Sequence, residues 1–228
     1  MKHNRLSVTA AEYLFELANN NNKQWFADNR SRYETLLLEP FRQLVTSVAP
    51  TMLAIDDQIE VRPAIGKTLS RMHRDTRFSN NKEPYKTAMW LSFSRKDKDL
   101  PDLPGFFFEF TPQLYRFGMG CYMATKPFMD SYRKILLQDE KNFLNMVQLL
   151  DDPQQPFEVC GETYKRLLKN DGSLALQSWY QRKEIYLMCE RPLDELVFSA
   201  QLPDYLASSF KTAAPLYQLL LTAAQGIA

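Results

Sequence analysis

Only two histidines, His3 and His73, occur in the 228 residues, and the three cysteines, Cys121, Cys160 and Cys189, lie far apart with no CxxC. Metal chemistry has little to stand on, since no His, Cys or carboxylate cluster shows ligand spacing. Only a magnesium site assembled from distant carboxylates stays open. A Cys–His nucleophile pair would have only His73 as its base. There is no GxSxG, no Walker-type glycine loop and no dinucleotide fingerprint, so no metal and no cofactor are expected. No apolar run approaches the ~20 residues of a membrane span, and MKHNRLSVTAAEY at the N-terminus has no secretory core. Odd, scattered cysteines fit a reducing compartment, and the expectation is a cytoplasmic protein with no membrane partner. A net charge of +1 denies the chain the broad basic face of a dedicated duplex-DNA binder.

What is present suits a folded domain. Hydrophobic residues make up 45%, charged residues 24% and aromatics 13%, enough to bury a substantial core. Thr9-Ala-Ala-Glu12 has capping-box spacing, followed by Tyr13, Leu14, Leu17 and Ala18 at helical intervals until the asparagine run 19–22. A second helix starts near Lys23 and carries Trp25, Phe26, Tyr33, Leu36 and Leu37. Pro40 restarts or kinks it, because a prolyl ring lacks the amide donor and crowds the preceding turn. Phe41, Leu44, Val45, Val48 and Leu53 continue a stripe towards Ile55. Residues 59–71 and 86–95 read as extended, FFFEF (106–110) buries its phenylalanines on one face, Thr111-Pro112-Gln113 turns, and 114–122 returns. Helices resume at Pro127 and over Glu140–Leu150. The segment 153–178 is weakly patterned, and Ile185–Cys189 reads as a last edge strand. Pro203 opens a terminal helix pair interrupted near Pro215. The expectation is one α+β domain over 1–228: helical over 9–55, strand-rich over 59–122, mostly helical over 127–225. Its centre would be an antiparallel meander of about four strands flanked by N-terminal and C-terminal helices.

Charge is distributed unevenly. Residues 62–98 hold ten Lys or Arg against three Asp or Glu, a balance of +7 in a chain of +1. The densest part, RMHRDTRFSNNKEPYK (71–86), gathers Arg71, Arg74, Arg77, Lys82 and Lys86 around Asp75, with Glu83 and Tyr85 among them. Arginine suits phosphate or carboxylate, because its planar fork donates two parallel charge-assisted hydrogen bonds. Cations this close repel unless an anion compensates them.

Three readings fit these residues. In the first, Arg71, Arg74, Arg77, Lys82 and Lys86 bind an anionic small molecule, Asp75 orients an arginine or takes a proton, and Tyr85 donates a hydrogen bond. In the second, Arg–Asp pairs fasten a loop, with Phe78 and Tyr85 as its core anchors. In the third the stretch meets nucleic acid, which the aromatics argue against, since they do not alternate as stacking platforms. Glu109 has opposite parity to its phenylalanine neighbours and is either a general base or a salt-bridge partner. Gly118 and Gly120, on one face of their strand with Arg116, mark a bulge or a closely approached backbone. Arg30, on a helical surface with Trp25, Asn29 and Tyr33, could support a site, which would lie where 71–86 meets the glycine-bearing strand.

The spacing Arg71-x-x-Arg74-Asp75-x-Arg77-Phe78, then Lys82, Tyr85 and Lys86, resembles the signature of a bacterial family, domain of unknown function 2461. NNKQWFADNRSRYE before Pro40, FFFEF with Gly118-x-Gly120-x-Tyr122, and SWYQRKEIYL agree with it, over about residues 9–225. GETYKRLLKNDGSLAL (161–176) departs from the family's usual Arg/Pro/Gly-rich pattern. The resemblance implies that the 71–86 residues occupy defining positions. It brings no established activity and therefore no catalytic role.

Overall fold

The structure is a computed structural model and describes residues 5–77, 80–96, 102–122, 124–148, 150 and 156–226. The fold is α+β: a five-stranded antiparallel sheet of order β1-β2-β3-β5-β4, with helices before and after it in the chain. The strands are β1 (Met89–Ser94), β2 (Gly105–Phe110), β3 (Leu114–Cys121), β4 (Glu158–Cys160) and β5 (Ile185–Pro192). The chain divides into two compact units.

The first unit comprises Met1–Phe93, Phe107–Phe117 and Glu190–Ala207. Helix α1 (Val8–Asn19) starts two residues earlier than the capping-box reading requires. Its N-cap is Ser7, whose side chain makes no capping bond, and Thr9 sits inside the first turn. Helix α2 (Lys23–Asp28) is capped by a side chain, with Asn22 Oδ1 accepting the Trp25 amide at 2.9 Å. Helix α3 (Arg30–Tyr33) then runs through a π-helical turn, Glu34–Leu38, into α4 (Glu39–Ile55). Pro40 accounts for the wide turn: its ring would crowd a carbonyl one normal turn back, and the extra residue opens the spacing. Phe41, Leu44, Val45, Val48 and Met52 form the buried stripe of α4, whereas Leu53 is 42% exposed. The expected stripe therefore ends on Met52 instead.

Residues 59–71 do not form the first strand of a meander. Pro63 offers no ladder donor and Gly66 turns the chain at φ +77°, so only isolated bridges survive. This segment still lies along β1, with the Ser70 amide donating to Trp90 O (2.9 Å) and the Ser92 amide to Thr68 O (2.8 Å). Ile65 is 43% exposed whereas Leu69 is buried. The turn after β2 is as read: Thr111 Oγ1 accepts the amides of Gln113 and Leu114. Phe108 packs on Phe41 with ring centroids 5.8 Å apart.

The second unit comprises Ser94–Phe106, Gly118–Cys189 and Ser208–Ala228. Helix α5 (Lys126–Gln138) begins at the Thr125 cap with Pro127 in its first turn, and α6 (Glu140–Gln148) follows. The weakly patterned stretch conceals both β4 and a short helix α7 (Leu174–Tyr180), which Ser173 caps. β4 pairs with β5 antiparallel, Val159 opposite Leu187. β5 is thus an inner strand with β4 outside it, rather than the edge. Its alternating burial from Ile185 to Cys189 reveals which face packs, and says nothing about how many neighbours it has. Phe106 packs against Phe210 and Tyr217. The terminal helix α8 (Leu202–Gln225) is continuous through Pro215, which lies on its exposed side. No described helix is long and apolar enough to cross a membrane.

Candidate anion-binding loop

Residues 71–77 and 80–86 pair with each other in the first unit. The Arg74 amide donates to Pro84 O and the Lys86 amide to Met72 O, both at 2.8 Å, and His73 faces Tyr85 across an antiparallel bridge. Two side-chain turns shape the far end of the loop: Asp75 Oδ1 accepts the Arg77 amide (3.1 Å) and Asn81 Oδ1 the Glu83 amide (2.9 Å). Phe78, the other expected anchor, lies outside the described residues.

The base of the loop is held at Tyr85. Asn21 donates through Nδ2 to Tyr85 O (2.9 Å) and accepts the Tyr85 amide on Oδ1 (3.0 Å). The Tyr85 ring is 4% exposed and stacks on Phe26 at 4.1 Å, with His73 against it at 4.9 Å. In the sequence Asn21 reads only as a helix breaker. Its clamp spans 64 residues and leaves no local pattern.

The five cations fall into distinct circumstances. Arg77 is paired to Asp75 through two nitrogens, Nη2–Oδ2 at 2.7 Å and Nε–Oδ1 at 3.0 Å, with both side chains largely exposed. That pairing holds the Asp75 carboxyl at about 2, below its ordinary value. Asp75 thus orients an arginine and stays ionised at neutral pH. Lys82 Nζ donates to Thr76 O at 2.9 Å and closes the loop. Arg71 is exposed, its guanidinium beside Gly66, and it pairs with no described residue.

Arg74 and Lys86 differ from these. Arg74 Nη2 makes only long contacts, 3.5 Å to Tyr85 O and 3.7 Å to Glu83 Oε2, and its buried Nε has no hydrogen-bond partner. Glu83 already accepts from Asn81 Nδ2 at 3.0 Å. The Lys86 ammonium sits 4.0 Å over the Trp90 ring. Burial lowers its pKa, and the neighbouring Arg74 charge lowers it further. The two cations are therefore close enough to repel, in a partly dry setting, with Glu83 at 3.7 Å from Arg74.

The supporting residues do not all join this loop. Arg116 lies on β3 between carboxylates of the flanking strands, with Nε 2.6 Å from Glu190 Oε2 and Nη1 3.7 Å from Glu109 Oε2. Glu109 is thus engaged as a salt-bridge partner. Arg30 pairs with Glu34 one helical turn on (3.0 Å), well exposed. Gly118 and Gly120 belong to the second unit. There, a Cβ on Gly120 would meet the Tyr186 Cβ at 2.3 Å, so the close approach at that glycine comes from β5. Among the described residues no three His, Cys, Asp or Glu gather as metal ligands.

The family model described as conserved hypothetical protein (DUF2461) matches residues 9–219, nearly the whole chain. No curated protein matches the chain.

Proposed function

We propose, from the premise that the chain belongs to the conserved hypothetical protein family DUF2461, that its 71–86 loop binds a small phosphate- or carboxylate-bearing molecule. Arg74 and Lys86 form the centre of the site, with exposed Arg71 at its margin. One observation carries the reading: two partly desolvated cations repel each other, the carboxylate of Glu83 lies 3.7 Å from Arg74, and one Arg74 guanidinium nitrogen is buried without a partner. Bringing like charges together away from water is costly, and an anion between them reverses the sign of that interaction. Arg77 and Lys82 favour a different role, because each already holds the loop together through Asp75 or Thr76. The aromatics lend no support to nucleic acid: Phe26 and Tyr85 stack on each other and Lys86 covers Trp90. Three cysteines that form no disulfide suit a reducing, cytoplasmic setting.

Titration with inorganic phosphate, followed through amide resonances of 71–86, tests this. Saturable shifts are expected in the parent chain, weakened about tenfold or more by Arg74→Ala or Lys86→Ala with little change in melting temperature. Equal phosphate affinity in parent and variants would refute the site. So would a parent that does not bind phosphate and loses many degrees of melting temperature on Arg74→Ala, leaving the salt-bridge network as the explanation.

A further inference from the structure

Apart from the loop, a cleft of about 260 Å³ lies in the first unit, lined by α4, by residues 5–6 and by the turn that leads into α8. Its apolar lining includes Leu6, Leu44, Val197 and Leu202, all buried. Two opposite charges line the same space, Arg5 and Asp204. Both residues are exposed, no ion pair joins them, and neither side chain is hydrogen-bonded to a described residue. The cleft thus offers one cation and one anion beside its apolar lining, both open to a ligand.

The local backbone sorts the roles. Asp204 lies in the first turn of α8. Pro203 contributes no amide to that helix end, so its donors are depleted and anion recognition falls to Arg5. An occupant complementary to this arrangement has a carboxylate for Arg5, an ammonium for Asp204, and an apolar group for the lining. We propose that this cleft binds an α-amino acid with an aliphatic or aromatic side chain.

The test uses the full chain and L-leucine, followed through the amide resonances of Val197–Asp204. A saturable shift is expected. Leucinamide, which lacks the carboxylate, and N-acetyl-leucine, which lacks the ammonium, should each bind about tenfold more weakly or worse. Arg5→Gln should weaken leucine yet leave leucinamide unchanged, and Asp204→Asn should weaken leucine yet leave N-acetyl-leucine unchanged. That crossed pattern assigns each charge to its own end of the ligand. No saturable shift with leucine would overturn the proposal, as would leucinamide binding equal to leucine.

Discussion

Arg116 and Arg74 show what the same side chain does with and without enough counter-charge. On the sheet, one arginine lies between two carboxylates, Glu109 and Glu190. In the loop the proportion is inverted: Arg74 repels Lys86, and its one carboxylate, Glu83 at 3.7 Å, already accepts a hydrogen bond from Asn81. The first arrangement is complete within the protein. The second would be completed by the anion proposed above, so the ratio of charges says more about a cluster's role than a count of its cations.

The comparison breaks most easily at the loop's anchor. Tyr85→Ala removes a buried ring stacked on Phe26 and should cost about 3 kcal/mol in urea unfolding, with phosphate binding lost as the limbs part. A loss below about 1 kcal/mol would mean that the loop is held from elsewhere. A smaller effect sharpens the contrast between the two arginines. Arg116→Ala leaves Glu109 and Glu190 without their shared counter-charge and should destabilise by about 1 kcal/mol, partly screened because the groups are half-exposed. Arg74→Ala in phosphate-free buffer should be neutral or slightly stabilising, since it relieves repulsion on Lys86. Equal losses in the two variants would erase the distinction.

The smallest effect is a pH dependence. The Lys86 pKa is lowered in the fold, so between that value and its ordinary one near 10.5 the unfolded chain binds more protons. Stability contributed by this group therefore rises with pH through that window. In Lys86→Met the rise should disappear from thermal melts across the alkaline range. A rise that persists unchanged would assign it to another group.

Much of this molecule is legible from its residues because the informative contacts are periodic. Phe106, Phe108 and Phe110 alternate into burial, and the helical stripe of α4 runs from Phe41 to Val48 as its spacing requires. The 71–86 loop declares itself through charge. The features that escape are set by long-range pairing. β4 is only three residues with an exposed start, and its partner is 28 residues downstream. Nothing in Ile185–Cys189 shows whether β5 is an inner or an outer strand. The extended reading of 59–71 gives too little weight to Pro63 and to a left-handed Gly66. Within the candidate site, the division of five cations into two fastened, one exposed and two crowded depends on distances that spacing does not encode.

The wide turn at Glu34–Leu38 bears on how α3 and α4 are compared with relatives. It acts as a phase shifter, since one surplus residue in a helix rotates the preceding part by about 100° relative to the part beyond it. Tyr33 and Phe41 are both buried although they sit on opposite sides of that offset. A one-residue deletion inside the turn would leave an ordinary helix that no longer aims Tyr33 inward. Gaps placed there in an alignment are therefore geometric events and not neutral edits.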